Sequence, residues 1–189
     1  MRELFASALL CLFTGLFLPG CRDTALEAFE TEKGIKSIVY QLQLQFGSKG
    51  KYSNIHFRND DSSGLVLTIT GLAEGNPDSL VVRQLKNTSW IQLNAIPIKE
   101  LHEGLYFFTL DSLSDMKILP GLIRSTMNKM TKDMPESGAK ITEVVITGQI
   151  YEPTDEPLRY NIYVQPKDVY DKYEFSYNLK GQLKSVQDY

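Results

Sequence analysis

The order of the hydrophobic periods constrains this chain more than any single residue does. In TEKGIKSIVYQLQLQFG, Ile35, Ile38, Val39, Leu42 and Phe46 recur at helical spacing, so one side of a helix is apolar and has to be buried. Thr31 stands where a helix needs an N-cap and Gly47 where it stops. Strand-like stretches follow: KYSNIHFR (51–58), GLVLTITG (64–71), SLVVRQLK (79–86) and SWIQLNA (89–95), with NDDSSG, GNPD and KNTS as turns between them. The order then recurs. DMKILPGLIRSTMNKMTK sets Leu119, Leu122, Ile123, Thr126, Met127 and Met130 on one helical face, with Pro120 tolerable in the first turn and Asp111 or Ser114 as the expected cap. AKITEVVITGQIY (139–151), PLRYNIYVQP (157–166), KYEFSYNLK (172–180) and QLKSVQ (182–187) read as strands, the last two joined by a hairpin through Lys180-Gly181.

This order predicts an α+β chain of two repeats, each one helix packed on a four-stranded antiparallel sheet, over residues 31–103 and 104–189. The segment 96–110 connects them, with an added strand through Tyr106 to Leu110. In PLRYNIYVQP, Leu158, Tyr160, Ile162 and Val164 alternate with Arg159, Asn161, Tyr163 and Gln165, so each sheet should have one face covered by its helix and one polar face. That polar face, or the groove between repeats, is the expected partner surface. Seven of the ten tyrosines follow residue 150, but β propensity and core filling account for Tyr160, Tyr173 and Tyr177. Tyr163, in the polar phase, and Trp90, in the last strand of the first repeat, are the aromatic anchors expected to be exposed, with Arg159 and Asn161 beside Tyr163.

Upstream of the helix, Leu4 to Leu18 is almost wholly apolar after a single positive charge at Arg2. It is too short for a spanning helix of about 20 residues and has the form of a signal-peptide core. It closes on Leu18-Pro19-Gly20-Cys21, which resembles a bacterial lipobox, with Pro19 as the departure from the usual small or β-branched residue. The resemblance implies a signal peptide over residues 1–20, cleavage after Gly20, lipid attachment at Cys21 and a short tether over residues 21–30. Its partner is then a lipid bilayer, and its location the bacterial cell envelope, at the outer membrane. Two or more acyl chains would anchor it firmly, since each buried methylene contributes about 0.8 kcal/mol. Cys11 is the one other cysteine and leaves with the signal, so no disulfide forms within the mature chain.

The helix-then-four-strands order, with the closing YEFSYNLKGQLKSV hairpin, resembles the tandem α-β4 architecture of β-lactamase inhibitor protein-like and PepSY-like domains of small exported lipoproteins. The resemblance implies a non-catalytic binding module. The inhibitor's disulfides are absent, and no inhibitor contact residue matches a position here.

Residue chemistry points the same way. A formal charge of −3 with interspersed signs gives nucleic acid no basic stripe to bind. His56 lies in the polar phase of a strand, and His102 has Glu100 and Glu103 nearby but no second histidine at metalloprotease spacing. Asn59, Asp61, Ser63 and Gly64 match the start of a calcium loop, yet the position that should supply a bidentate carboxylate is Thr70. Asp111, Asp115, Asp155 and Glu156 fall in loops or helix starts where capping and solvation explain them. The expectation is therefore no enzyme, no metal and no cofactor. The alternative is a pocket domain of cystatin or NTF2 type, enzymatic or binding a small ligand, with a curved sheet and helix enclosing a cavity.

Overall fold

The computed structural model describes residues 30–60, 62, 64–86, 88–100, 106–135, 138–148, 158–167 and 170–189. Residues 1–29 with Cys21, and also His102, Asp155, Glu156 and the boundary expected between residues 103 and 104, lie outside the described residues.

Helix α1 (Glu32–Phe46) starts where Thr31 Oγ1 accepts the Gly34 N–H at 3.1 Å, satisfying a first-turn donor that has no partner within the helix. Its Ile35, Ile38, Leu42 and Phe46 are buried, and Gly47 ends it at φ 83°, where a side chain would be strained. Strands β1 (Lys51–Asp60), β2 (Gly64–Ala73), β3 (Asn76–Lys86) and β4 (Ser89–Pro97) follow. Tyr106 to Leu110 is not a strand; a single bridge sets Phe108 opposite Tyr52. Asp111 and Ser114 belong to a 3-10 turn (Asp111–Met116) and do not cap helix α2 (Leu119–Asp133), which has Pro120 in its first turn and Ile118 before it, with no side-chain cap bond. The chain ends in β5 (Lys140–Thr147), β6 (Arg159–Gln165), β7 (Tyr173–Asn178) and β8 (Leu183–Asp188).

The expected pair of helix-on-sheet repeats is overturned by the strand order. Among the described residues, all the strands form one eight-stranded antiparallel sheet, β4-β3-β2-β1-β5-β6-β7-β8, and two α-helices pack against it. The join is β1 with β5, where Ile55 lies opposite Ile146 and Phe57 opposite Val144. Separate sheets would leave β1 and β5 as apolar edges open to pairing with other chains. Joining them satisfies both ladders and places both strands at the centre.

The register carries one apolar row across the whole sheet: Trp90, Leu85, Leu67, Phe57, Val144, Ile162, Phe175, Val186. A parallel row contains Ile69, Ile55, Ile146, Tyr160 and Tyr177. Buried residues of both rows and of both helices belong to one continuous core, so α1 and α2 lie on the same face. Each fully buried aliphatic or aromatic side chain contributes about 1.5–3 kcal/mol, and sharing one core lets the two helices stabilise a common sheet. Two polar contacts fix them at its flanks. Trp90 Nε1 donates to Gln41 Oε1 of α1 at 3.3 Å, and the buried Thr126 hydroxyl of α2 lies 2.7 Å from the Tyr177 hydroxyl. Between them, Arg83 reaches back over the Phe46 ring, 5.3 Å from its centroid, and donates to the Gln45 carbonyl. Gly71 is required where β2 meets β1, because a Cβ there would collide with the Lys51 carbonyl.

Candidate functional site: the open face of the sheet

The residues between the core positions point to the other face, which no described helix covers. Its richest part is a row running Arg58, Glu143, Tyr163, Glu174, Gln187 across β1, β5, β6, β7 and β8. Glu143 sits at the centre of a three-residue cluster. One carboxylate oxygen lies 2.9 Å from His56 Nε2, and the other accepts from Lys172 Nζ at 3.0 Å. Partial burial disfavours charge on Glu143, but Lys172, and after it His56, outweigh that and hold its pKa below the ordinary carboxylate value. His56 is thus a hydrogen-bonded strand histidine whose partner comes from the other half of the chain.

Beside this cluster, burial pushes the Tyr163 hydroxyl well above the usual phenol range, and the neighbouring Glu174 carboxylate pushes it further the same way. Glu174 also accepts the Tyr189 hydroxyl at 2.8 Å, which raises the Tyr189 pKa too. Ser176 donates to Asn161 Oδ1 at 3.0 Å. Arg159 lies on the same face, opposite Thr147 on one side and Asn178 on the other. Asn178 organises the β7–β8 hairpin, its Oδ1 accepting from the backbone N–H groups of Lys180 and Gln182 at 3.1 and 2.9 Å.

Of the residues singled out from sequence, Arg159, Asn161 and Tyr163 therefore share the open face, all half-buried. Trp90 does not join them. It faces the helices, bonded to Gln41 and packed at the border of the core. Sequence reasoning missed Glu143 and Lys172, and its one available clue was that Glu143 interrupts the apolar run ITEVVIT. Of the calcium-like turn, Asp61 and Ser63 lie outside the described residues, Asp60 stands opposite Gly64, and Thr70 lies inside β2.

Chemically, the face offers carboxylates already engaged by cations or phenols, amides, and a half-buried aromatic ring. Among the described residues, no group of three or more His, Cys, Asp or Glu could hold a metal ion, and no helix is long and apolar enough to cross a membrane. A depression of about 420 Å³ lies on the opposite side, along α1, where Ile35, Val39 and Tyr40 are joined by Lys36 and Lys117. No protein-family model, curated protein or solved structure matches the chain.

Proposed function

We propose that this protein is a non-catalytic binding module, tethered to the cell envelope through lipid on Cys21, which recognises a protein partner with the open face of its sheet. The observation that carries the reading is the one-sided cover. Both described helices pack on one face of an eight-stranded sheet, and among the described residues the other face presents a preformed set of half-buried polar groups, Arg159, Asn161 and Tyr163 among them. A rigid platform loses little conformational entropy on binding, and a tether raises the effective concentration of a partner in the same envelope. The engaged state of Glu143 and Glu174 supports recognition over acid-base chemistry, since a general base must be free to take a proton from substrate. The proposed kinship with inhibitor-like and PepSY-like lipoprotein domains rests on the element order and the closing hairpin.

A photo-crosslinking amino acid at position 163 tests the binding reading, with one at the exposed Tyr40 of α1 as the control. A discrete envelope protein captured from position 163 and absent from position 40 is the expected result. Equal or greater capture from position 40 would move the site to the helical side. Metabolic labelling with palmitate tests the anchor: label should be present in the unmodified chain and absent from Cys21→Ser.

A further inference from the structure

Helix α1 buries Ile35, Ile38, Leu42 and Phe46, so the opposite side of the helix is the line Lys33, Ser37, Tyr40, Leu44. The outermost line of a surface helix is ordinarily polar. Here its second half is apolar, with Tyr40 59 % exposed and Leu44 58 % exposed. Lys33 and Lys36, both exposed, stand two turns and one turn before Tyr40.

Helix α2 adds a basic row. It buries Leu119, Leu122, Ile123, Thr126 and Met130, which puts Gly121, Arg124, Asn128 and Lys132 on its outward side, all exposed. Both helices pack into one core on the same face of the sheet, so the two lines look the same way, away from it. Their starts adjoin across a depression lined by Thr31, Glu32, Pro120, Gly121 and Arg124.

Charge on this side is segregated. Among the described residues, Lys33, Lys36, Arg124 and Lys132 are exposed cations without a carboxylate partner. Of the acids on the two helices, Asp133 is held by Lys129 at 2.9 Å, and Glu32 stands in the first turn of α1. The chain as a whole carries −3, so this side opposes the sign of the rest.

An exposed Tyr and Leu beside unpaired cations fit a bilayer that contains anionic phospholipid. Leu44 enters the acyl boundary, the Tyr40 ring lies at headgroup depth with its hydroxyl in water, and Lys and Arg meet phosphates while their stems cover apolar surface. Chain length favours the same occupant. Cys21 stands nine residues before Glu30, a span of at most about 30 Å when fully extended, so a lipid on Cys21 keeps the start of α1 within that distance of the membrane.

We infer that the helical side of the protein is a second membrane contact, which lays α1 and α2 on an anionic bilayer and turns the open face of the sheet away from it. The tethering in this picture rests on the anchor proposed above. It deepens the binding reading by fixing the direction in which the open face is presented.

The test is fluorescence quenching of tryptophan placed in the full chain. Vesicles of phosphatidylethanolamine and phosphatidylglycerol carry plain or brominated acyl chains, and Trp90 gives a background common to every variant. The added emission of Tyr40→Trp and of Leu44→Trp should be lost in brominated vesicles and kept in plain ones, whereas that of Ile91→Trp on the open face should be equal in both. Arg124→Glu in the Tyr40→Trp background should weaken docking by about tenfold, and Lys180→Glu, at the turn between β7 and β8, should leave it unchanged, with circular dichroism confirming that each variant is folded. Docking is overturned if positions 40 and 44 are quenched no more than position 91, or if the two charge reversals act alike. It is also overturned if emission at position 40 shifts with chain concentration in the absence of vesicles, which would give this side to a second copy. Palmitate labelling reports the anchor separately: a labelled chain without quenching at position 40 keeps the anchor and loses the docking, and an unlabelled chain quenched there keeps the docking and loses the anchor.

Discussion

The two halves of the open face are built differently. On β5 to β8, Glu143, Lys172, Glu174, Tyr189, Asn161 and Ser176 bond to one another or to a neighbour from β1. On β2 to β4, the corresponding positions hold Thr68, Thr70, Val82, Gln84, Ile91 and Asn94; Gln84 Nε2 donates to Thr68 Oγ1 at 3.1 Å, Asn94 Oδ1 accepts only from the adjacent Ala95 N–H at 2.8 Å, and Ile91 is exposed. One half is a fixed polar relief; the other is a plainer surface of small, β-branched and apolar groups. In a binding surface the first supplies orientation and the second supplies contact area, because desolvating linked charges is costly whereas burying Ile or Val is favourable.

The strongest way to break the comparison is to attack what the halves share. Phe57→Ala, in the row that crosses the β1–β5 join, should lower stability by about 3–5 kcal/mol. Urea unfolding should remain a single transition whether followed by tyrosine or by tryptophan signal, since the core is common to both halves. Two separated transitions would mean that the halves fold independently. Next in size, Tyr177→Phe strands the buried Thr126 hydroxyl and should cost about 1–3 kcal/mol, whereas Thr126→Val in the same background should cost little more.

Effects on the open face itself are smaller. Glu143→Gln should cost up to about 1 kcal/mol at neutral pH, because the pair with Lys172 is partly solvated. The sign of its pH dependence is fixed. A carboxylate whose pKa is lower folded than unfolded adds stability above its unfolded value of about 4.3, and loses it as pH falls through the folded value. The difference between the unmodified chain and Glu143→Gln should therefore vanish in acid. On the plainer half, Gln84→Ala should change stability by no more than about 0.5 kcal/mol, sharpening the contrast between a half with a network and a half without one.

Local structure was legible where one residue type answers one physical need. Thr31 caps α1, Gly47 ends it, and the alternation of Leu158, Tyr160, Ile162 and Val164 gives the buried side of β6. What could not be read is pairing at a distance. His56 and Glu143 are 87 residues apart in the chain, and no local pattern announces that their strands adjoin, so two sheets were expected where there is one. Trp90 was misplaced for a related reason. Its strand has apolar groups in both phases, Trp90 in one and Ile91 in the other, and only the register with β3 decides which meets the helices. Asp111 and Ser114 were plausible caps by residue type, but a 3-10 turn intervenes before α2 begins.

The placement of β1 beside β5 also sets an order of events. During synthesis, α1 and the meander of β1 to β4 are complete long before Lys140 to Thr147 exist, so the inner side of β1 waits, unpaired, for a strand still to be made. Contacts this distant in sequence slow folding, and bare strand edges invite association while they last. A nascent chain halted near the end of α2 should therefore be the form most in need of a chaperone, and release of the remaining strands should end that need.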